Sequence, residues 1–482
     1  MKKLCQYKKE EYRLFKSPEI KQKYEERFAR YITAMNGGTP DRIPVRFFFQ
    51  EAAARNAGLT NQQVGCDYNL AFECTRKMAE DMDSDAVMLN AIWSNYGVGK
   101  ALGLRYFHVP GVDVGIDSVL QYSEPEGEED LFMREDEYDE LSDDPTGFLV
   151  NKWLSRASSR VKGLGQQVDF DHNTALIAGS MAYANYMNAF GPASARLKYE
   201  SGVVSANSGM VKAPFDILAD KFRGYTNLIM DCYERPEKVL KACEALMPHM
   251  VANALASADP DKNVPITLWA HRGCIPFVNR EMFDSLYFAT LKPVIEEIVS
   301  KGYQILFYGE GNWEAHYGDL LTLPDNTLIY HLDRGEPEKA AVLKKKFSIS
   351  GGLRYDLLTR GTTEEIRSYL KGLFDVLARD GGYMLDASAL MLSDIKPENV
   401  RAAVDYTLEH GVYSQGHSGK AKAVYEYNGD FKTGNRPPLT CRSWEQESRG
   451  YNNLCGDVDL VEKSWKSVDA MPYNFVWTTL LW

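Results

Sequence analysis

Eight short runs rich in β-branched and aromatic residues, separated by stretches with helical spacing, constrain the fold of this chain most. They fall at residues 43–49, 85–90, 203–207, 266–270, 305–308, 328–332, 347–350 and 383–385. The later spacing is the most regular. Residues 281–301 lie between runs four and five, with Pro293 placed to kink or divide a helix. Residues 336–346 separate runs six and seven, and 362–379 separate runs seven and eight. Thr362 and Glu365 form the S/T-x-x-E capping pattern that opens a helix. Strand–helix alternation favours parallel strands with right-handed crossovers. Eight such units predict an α/β protein, a (β/α)₈ TIM barrel. An open doubly wound sheet is the competing topology, but no run is followed by its G-x-G-x-x-G phosphate turn.

Three segments exceed a minimal barrel. Residues 1–36 are charged and helical in pattern and read as an N-terminal helical extension, with the barrel at 37–415. An insertion of about 100–195 precedes the third strand and is expected to form helices over the barrel mouth. Its acidic stretch, with Glu128-Glu129-Asp130 and Glu135-Asp136-Glu137, reads as a solvated face. Residues 416–482 form a C-terminal appendage holding Trp444, Trp465, Trp477 and Trp482. These aromatics are expected to pack on the barrel or on a second subunit, as in a homodimer.

Composition limits the function. Charged residues make up 25% of the 482 and the formal net charge is −12, which disfavours nucleic acid or anionic membrane as the main partner. No apolar run has the 18 or more residues of a membrane span, and the basic start lacks the apolar stretch of a secretory signal. Eight cysteines are dispersed without a C-x-x-C pair, as expected in a reducing cytoplasm.

Three stretches carry a family resemblance. They are Asn36-Gly37-Gly38-Thr39-Pro40-Asp41-Arg42-Ile43-Pro44-Val45, then Gly351-Gly352-Leu353 with Gly361-Thr362-Thr363-Glu364-Glu365-Ile366, then Gly381-Gly382-Tyr383-Met384 with Lys396-Pro397-Glu398-Asn399-Val400. Together they resemble the uroporphyrinogen decarboxylase superfamily, which implies a (β/α)₈ barrel with either decarboxylation or methyl transfer to or from a protein-bound corrinoid. The decarboxylase branch carries Arg-Gln-Ala-Gly-Arg after the first strand. Here Gln50-Glu51-Ala52-Ala53-Ala54-Arg55 stands there, and the second strand ends in Asn90 where that branch has a key Asp. The thiol-methylating branch implies zinc on His-x-Cys after strand five and on a Cys after strand eight. Tyr308, Glu310 and Ala389 occupy those places, so a thiolate zinc site is excluded on ligand count. His271-Arg272-Gly273 and Glu310-Gly311 resemble a third group, some of whose members demethylate methoxylated aromatics with a corrinoid partner protein.

Chemistry in such a barrel sits where the strands end. The strand ends supply Gln50 and Glu51, Asn90, Asn207, then His271, Arg272 and Cys274, then Tyr308, Glu310 and Asn312. Strands six to eight add His331, Asp333 and Arg334, Arg354, and Asp386 with Ser388. Glu310, His271, His331, Asp333 and Tyr308 are the catalytic candidates. Arg272, Arg354, Asn90 and Asn312 are candidates for binding substrate. His271, Glu310 and Cys274 are the candidate metal ligands, with zinc as the expected ion. Each has a plainer reading: a satisfied structural His, an inert buried Cys274, an Asp333 paired with Arg334 or Arg272, an Asp386 capping the next helix. The favoured function is methyl transfer from a small methoxylated aromatic to a corrinoid supplied by another chain, with Glu310 activating the leaving oxygen. The alternative is a cofactor-free decarboxylase or lyase that uses Arg272 and Arg354 to hold a carboxylate.

Overall fold

A computed structural model describes residues 14–89, 96–125, 131–417 and 436–481, with a few positions between 418 and 435. All eight expected runs contain strand, several of them shorter than expected. In chain order the strands are β1 (Arg46–Phe47), β2 (Ala86–Val87), β3 (Phe107–His108), β4 (Gln121–Tyr122), β5 (Val204–Ser205) and β6 (Met210–Lys212). They continue with β7 (Ile266–Ala270), β8 (Ile305–Asn312), β9 (Leu328–Arg334), β10 (Ser348–Gly351) and β11 (Tyr383–Met384).

The protein is α/β with parallel sheets. One sheet has the order β1-β2-β5 and the other β11-β10-β9-β8-β7-β6, and every pairing within both is parallel. Parallel bridges Val45–Leu385 and Phe49–Met391 join β1 to the chain around β11. At the opposite edges, β5 and β6 are consecutive, with residues 206–209 between them. Strand residues are buried on both faces, as parallel strands with helices outside require. The antiparallel pair β3–β4 is a separate hairpin inside the insertion.

The N-terminal helix Pro18–Met35 is capped by Ser17 and docks where the strands begin. Its Arg30 reaches buried Asp85 at 2.5 Å, and the Tyr31 hydroxyl donates to the Ala206 carbonyl at 2.6 Å. The capping box at Thr362 and Glu365 is present on the helix Thr363–Leu377. Pro293 lies within the helix Phe288–Ser300; the irregularity is one turn earlier, a π-turn at Phe283–Tyr287. In the insertion, Glu137 is buried rather than solvated. Arg156 and Lys152 bind it and hold its carboxyl near 2 despite burial. Glu128, Glu129 and Asp130 lie outside the described residues. The C-terminal helix Val458–Thr479 packs on its own chain, where Trp477 stacks on His249 at 4.6 Å. Among the described residues no helix is long and apolar enough to cross a membrane.

Candidate active site

The site grows from the turn after β6. Ala213 leads into Pro214 at the first position of a short helix, which needs no amide hydrogen there. The helix widens into a π-turn, Leu218–Arg223, and stops at Gly224 with φ +70°. Asp216 and Asp220, one turn apart, are both buried and face the turn after β7. Asp216 accepts the backbone N–H of His271 at 2.9 Å, that of Arg272 at 3.1 Å and the Tyr287 hydroxyl at 3.2 Å. Those bonds fix the 271–272 turn. Gly273 lets it lie against Tyr287, since a Cβ there would meet the ring at 2.3 Å.

His271 sits between the two carboxylates. Its Nε2 lies 2.9 Å from Asp220 and its Nδ1 3.4 Å from Asp216. Burial alone would lower its pKa, but Asp220 and Asp216 outweigh that and raise it to about 9. The imidazole is therefore a cation at neutral pH. Burial raises Asp216 to about 6. Burial also opposes ionisation of Asp220, but His271 and Lys212 reverse the effect and keep it ionised. Lys212 Nζ lies 3.2 Å from Asp220. Arg272 meets Asp220 through Nε at 3.4 Å and Glu124 through its outer nitrogen. The rings of Phe277 and Tyr225 lie 4.9 and 5.3 Å from its guanidinium carbon.

Lys212, Asp220, His271 and Arg272 wall a cavity of about 370 Å³ at the C-terminal ends of the strands. Glu51, Glu310 and Trp269 complete its strand side, Leu390 and Leu392 another side, and Val119, Leu120 and Tyr122 of the insertion the cover. Glu51 is 3% exposed. One carboxyl oxygen accepts the Leu120 N–H at 3.3 Å; the other has no hydrogen-bond partner among the described residues. Burial raises its pKa. Glu310 stands at a β-bulge between Gly309 and Asn312. Gly311, at φ +87°, makes that turn; a Cβ there would lie 2.4 Å from Cys274 Sγ. The Gly311 N–H donates to Asp333 at 2.7 Å, and burial raises Asp333 to about 6.

The cavity gathers His271, Arg272 and Glu310 from the expected set. Asp333 lies behind the Gly311 amide rather than on the wall. His331 and Tyr308 are inside the strand layer, not at its mouth. His331 is fully buried, with Nδ1 3.3 Å from Arg46 and Nε2 3.1 Å from the Ser388 carbonyl; burial and Arg46 keep it neutral. Tyr308 stacks on it at 3.9 Å. Both sit too far down the strands to reach the cavity. Asp386 joins this interior group, 2.6 Å from Arg46, instead of capping a helix. Arg354 is exposed and bound to Asp356, away from the cavity. Asn312 makes a local turn, accepting the Glu314 N–H at 2.9 Å. Cys274 donates to the His271 carbonyl, and burial raises its thiol to about 11. Asn90 lies outside the described residues.

Zinc does not fit the proposed ligand set. Both His271 nitrogens face carboxylates, and Cys274 is held as a neutral thiol behind Gly311. Among the described residues no three His, Cys, Asp or Glu side chains cluster in a way that would hold a metal. The sequence reading passed over Asp216 and Asp220. Their signal in the sequence is an Asp-x-x-x-Asp pair just after Lys212-Ala213-Pro214, beyond the strand expected at 203–207.

Residues 190–410 match the family model for uroporphyrinogen decarboxylase. That match places the segment, which holds β5 to β11 and most of the cavity's polar wall, in the uroporphyrinogen decarboxylase superfamily. Among solved structures, a methyltransferase from Methanosarcina mazei shares the fold at 15% identity and a TM-score of 0.51, covering 79% of this chain and 97% of that one. No curated protein matches the chain.

Proposed function

We propose that this protein is an enzyme, a methyltransferase that moves a methyl group from a small methoxylated aromatic donor to a corrinoid carried by a partner protein. In this reading the two parallel sheets form one eight-stranded barrel, in which β5 and β6 are the two halves of one strand interrupted at residues 206–209 and Val45–Leu385 joins the other side. The fold shared with a methyltransferase supports the reaction class. The cavity supports a small donor, since about 370 Å³ is near the lower end for ligand sites.

The observation that carries the reading is the state of Glu51. Its carboxyl is buried on the cavity wall, burial favours the protonated form, and one oxygen has no partner among the described residues. That is what protonation of a leaving oxygen requires. The partner's corrinoid would supply the nucleophile. As the methyl–oxygen bond breaks, Glu51 gives its proton to the departing oxygen and becomes a carboxylate. Trp269, Leu120 and Leu390 hold the aromatic body, and the transferred proton leaves the departing oxygen without negative charge. Glu310, half-buried on the same wall and not bound to a cavity cation as Asp220 is, contacts the donor. Decarboxylation is less well served, because Lys212, Arg272 and His271 already face carboxylates.

The test mixes purified enzyme, reduced corrinoid protein and a panel of methoxylated aromatics, and follows the cobalt spectrum. Methylated corrinoid with one phenol formed per methyl group is expected. Carbon dioxide release from a carboxylated compound, with no change at cobalt, would contradict the reading.

A further inference from the structure

We infer that Glu124 makes this cavity select uncharged aromatic donors, by taking the one arginine that would otherwise bind a substrate carboxylate. The inference rests on the proposed function for the kind of ligand and adds its charge. Arg272 is the guanidinium on the cavity wall, and planar guanidinium is the group best shaped for a carboxylate. Its outer nitrogen is bound to Glu124 and its Nε faces Asp220. Rings of Phe277 and Tyr225 pack beside it, so it cannot readily turn to a second partner.

The insertion delivers Glu124 to that place. The Asn61 side chain donates to the carbonyls of Asp117 and Ser118 at 3.1 and 3.0 Å. The Leu120 N–H donates to Glu51, and the Tyr122 hydroxyl donates to the Asp220 carbonyl. The segment therefore touches the turns after β1 and β6 before Glu124 reaches Arg272 after β7. The other cavity cations are also paired: Lys212 with Asp220, and His271 with Asp216 and Asp220. An incoming carboxylate would face Glu310 and Asp220 with no unpaired cation on the described wall to receive it.

The experiment compares 4-methoxybenzamide with 4-methoxybenzoate, near-identical in shape and different in charge. Binding is titrated calorimetrically without corrinoid protein, so that it does not depend on methyl transfer. The wild type is expected to bind the amide at least about tenfold more tightly. Glu124→Ala frees Arg272 and should strengthen benzoate binding by about tenfold or more, the scale of a charge-assisted pair, while amide binding stays within about threefold. Glu124→Gln, which keeps the shape without the charge, should shift the ratio the same way. Adding Arg272→Gln to Glu124→Ala should abolish the gain. Tighter benzoate binding by the wild type, an unchanged ratio in both Glu124 variants, or no binding of either compound to any form would each overturn the inference. A ratio that shifts as expected in an enzyme that methylates no corrinoid would leave the inference standing and remove the methyl-transfer reading.

Discussion

Lys221 is fully buried, next to Asp220, and its Nζ lies 4.0 Å from the Tyr106 ring centroid and 4.3 Å from that of Tyr122. Burial pushes its pKa well below that of an ordinary lysine. The unfolded chain then binds a proton that the folded chain does not, so this residue makes stability rise with pH up to about 10.5. His271 acts the other way. Its pKa is raised, so its contribution is complete below about 6.5 and is lost as pH rises through about 9. The two oppose each other in the wild type. Lys221→Met keeps the ring contacts and removes the rising term. Relative to the wild type, its stability should fall with pH between 6.5 and 9 by up to about 1.4 kcal/mol per unit, measured by denaturant unfolding. Parallel curves would show Lys221 charged in the folded state. At this scale the sequence was only partly legible. His271, Arg272 and Glu310 line the cavity, and their place at strand ends is legible in the hydrophobic pattern. His331 and Tyr308 lie inside the strand layer, because a hydrophobic run marks where a strand is and not how deep each of its side chains lies. Asp216, Asp220 and Glu124 owe their places to a π-turn and a long insertion, which leave no periodic signal.

Elements were more legible than residues. All eight runs hold strand, because parallel strands buried on both faces read as continuous apolar stretches. Met210–Lys212 was missed, since residues 206–209 break the run with Asn207, Ser208 and Gly209. The bulge in β8 was visible only as Gly309-Glu310-Gly311, yet it aims Glu310 at the cavity. Gly311→Ala should cost about 1–3 kcal/mol from positive φ alone, with a further penalty from the contact to Cys274 Sγ. Donor binding should weaken with it, as Glu310 moves. Cys274→Ala in the same background removes the 2.4 Å contact and leaves one of 3.5 Å to its Cβ, so part of the stability should return. Thermal melts of the three proteins check this; no recovery would place the strain in the backbone alone.

Across the described residues, the N-terminal and C-terminal helices are both tied to the segment that carries the parallel strands. Asp85, buried at the start of β2, accepts the Val45 N–H at 2.8 Å and binds Arg30 and Arg42, joining the N-terminal helix to two strands. Asp85→Ala should cost about 3–5 kcal/mol, the price of leaving buried partners uncompensated. At the other end, Trp477 is buried on His249, and Trp477→Ala should cost about 3–5 kcal/mol. Urea unfolding checks both, and losses under about 1 kcal/mol, the scale of a surface pair, would mean these ends are loosely held. The central claim is that Glu51, at the end of β1, gives the proton that releases the methyl donor's oxygen. Single-turnover methylation of reduced corrinoid protein by wild type, Glu51→Gln and Glu310→Gln tests it most directly. Glu51→Gln should bind donor normally and slow methylation by about 10²–10⁴-fold, the contribution of a positioned general acid, while Glu310→Gln weakens binding more than rate. A Glu51→Gln rate within about threefold of wild type, with Glu310→Gln taking the large loss instead, would contradict the account and make Glu310 the acid.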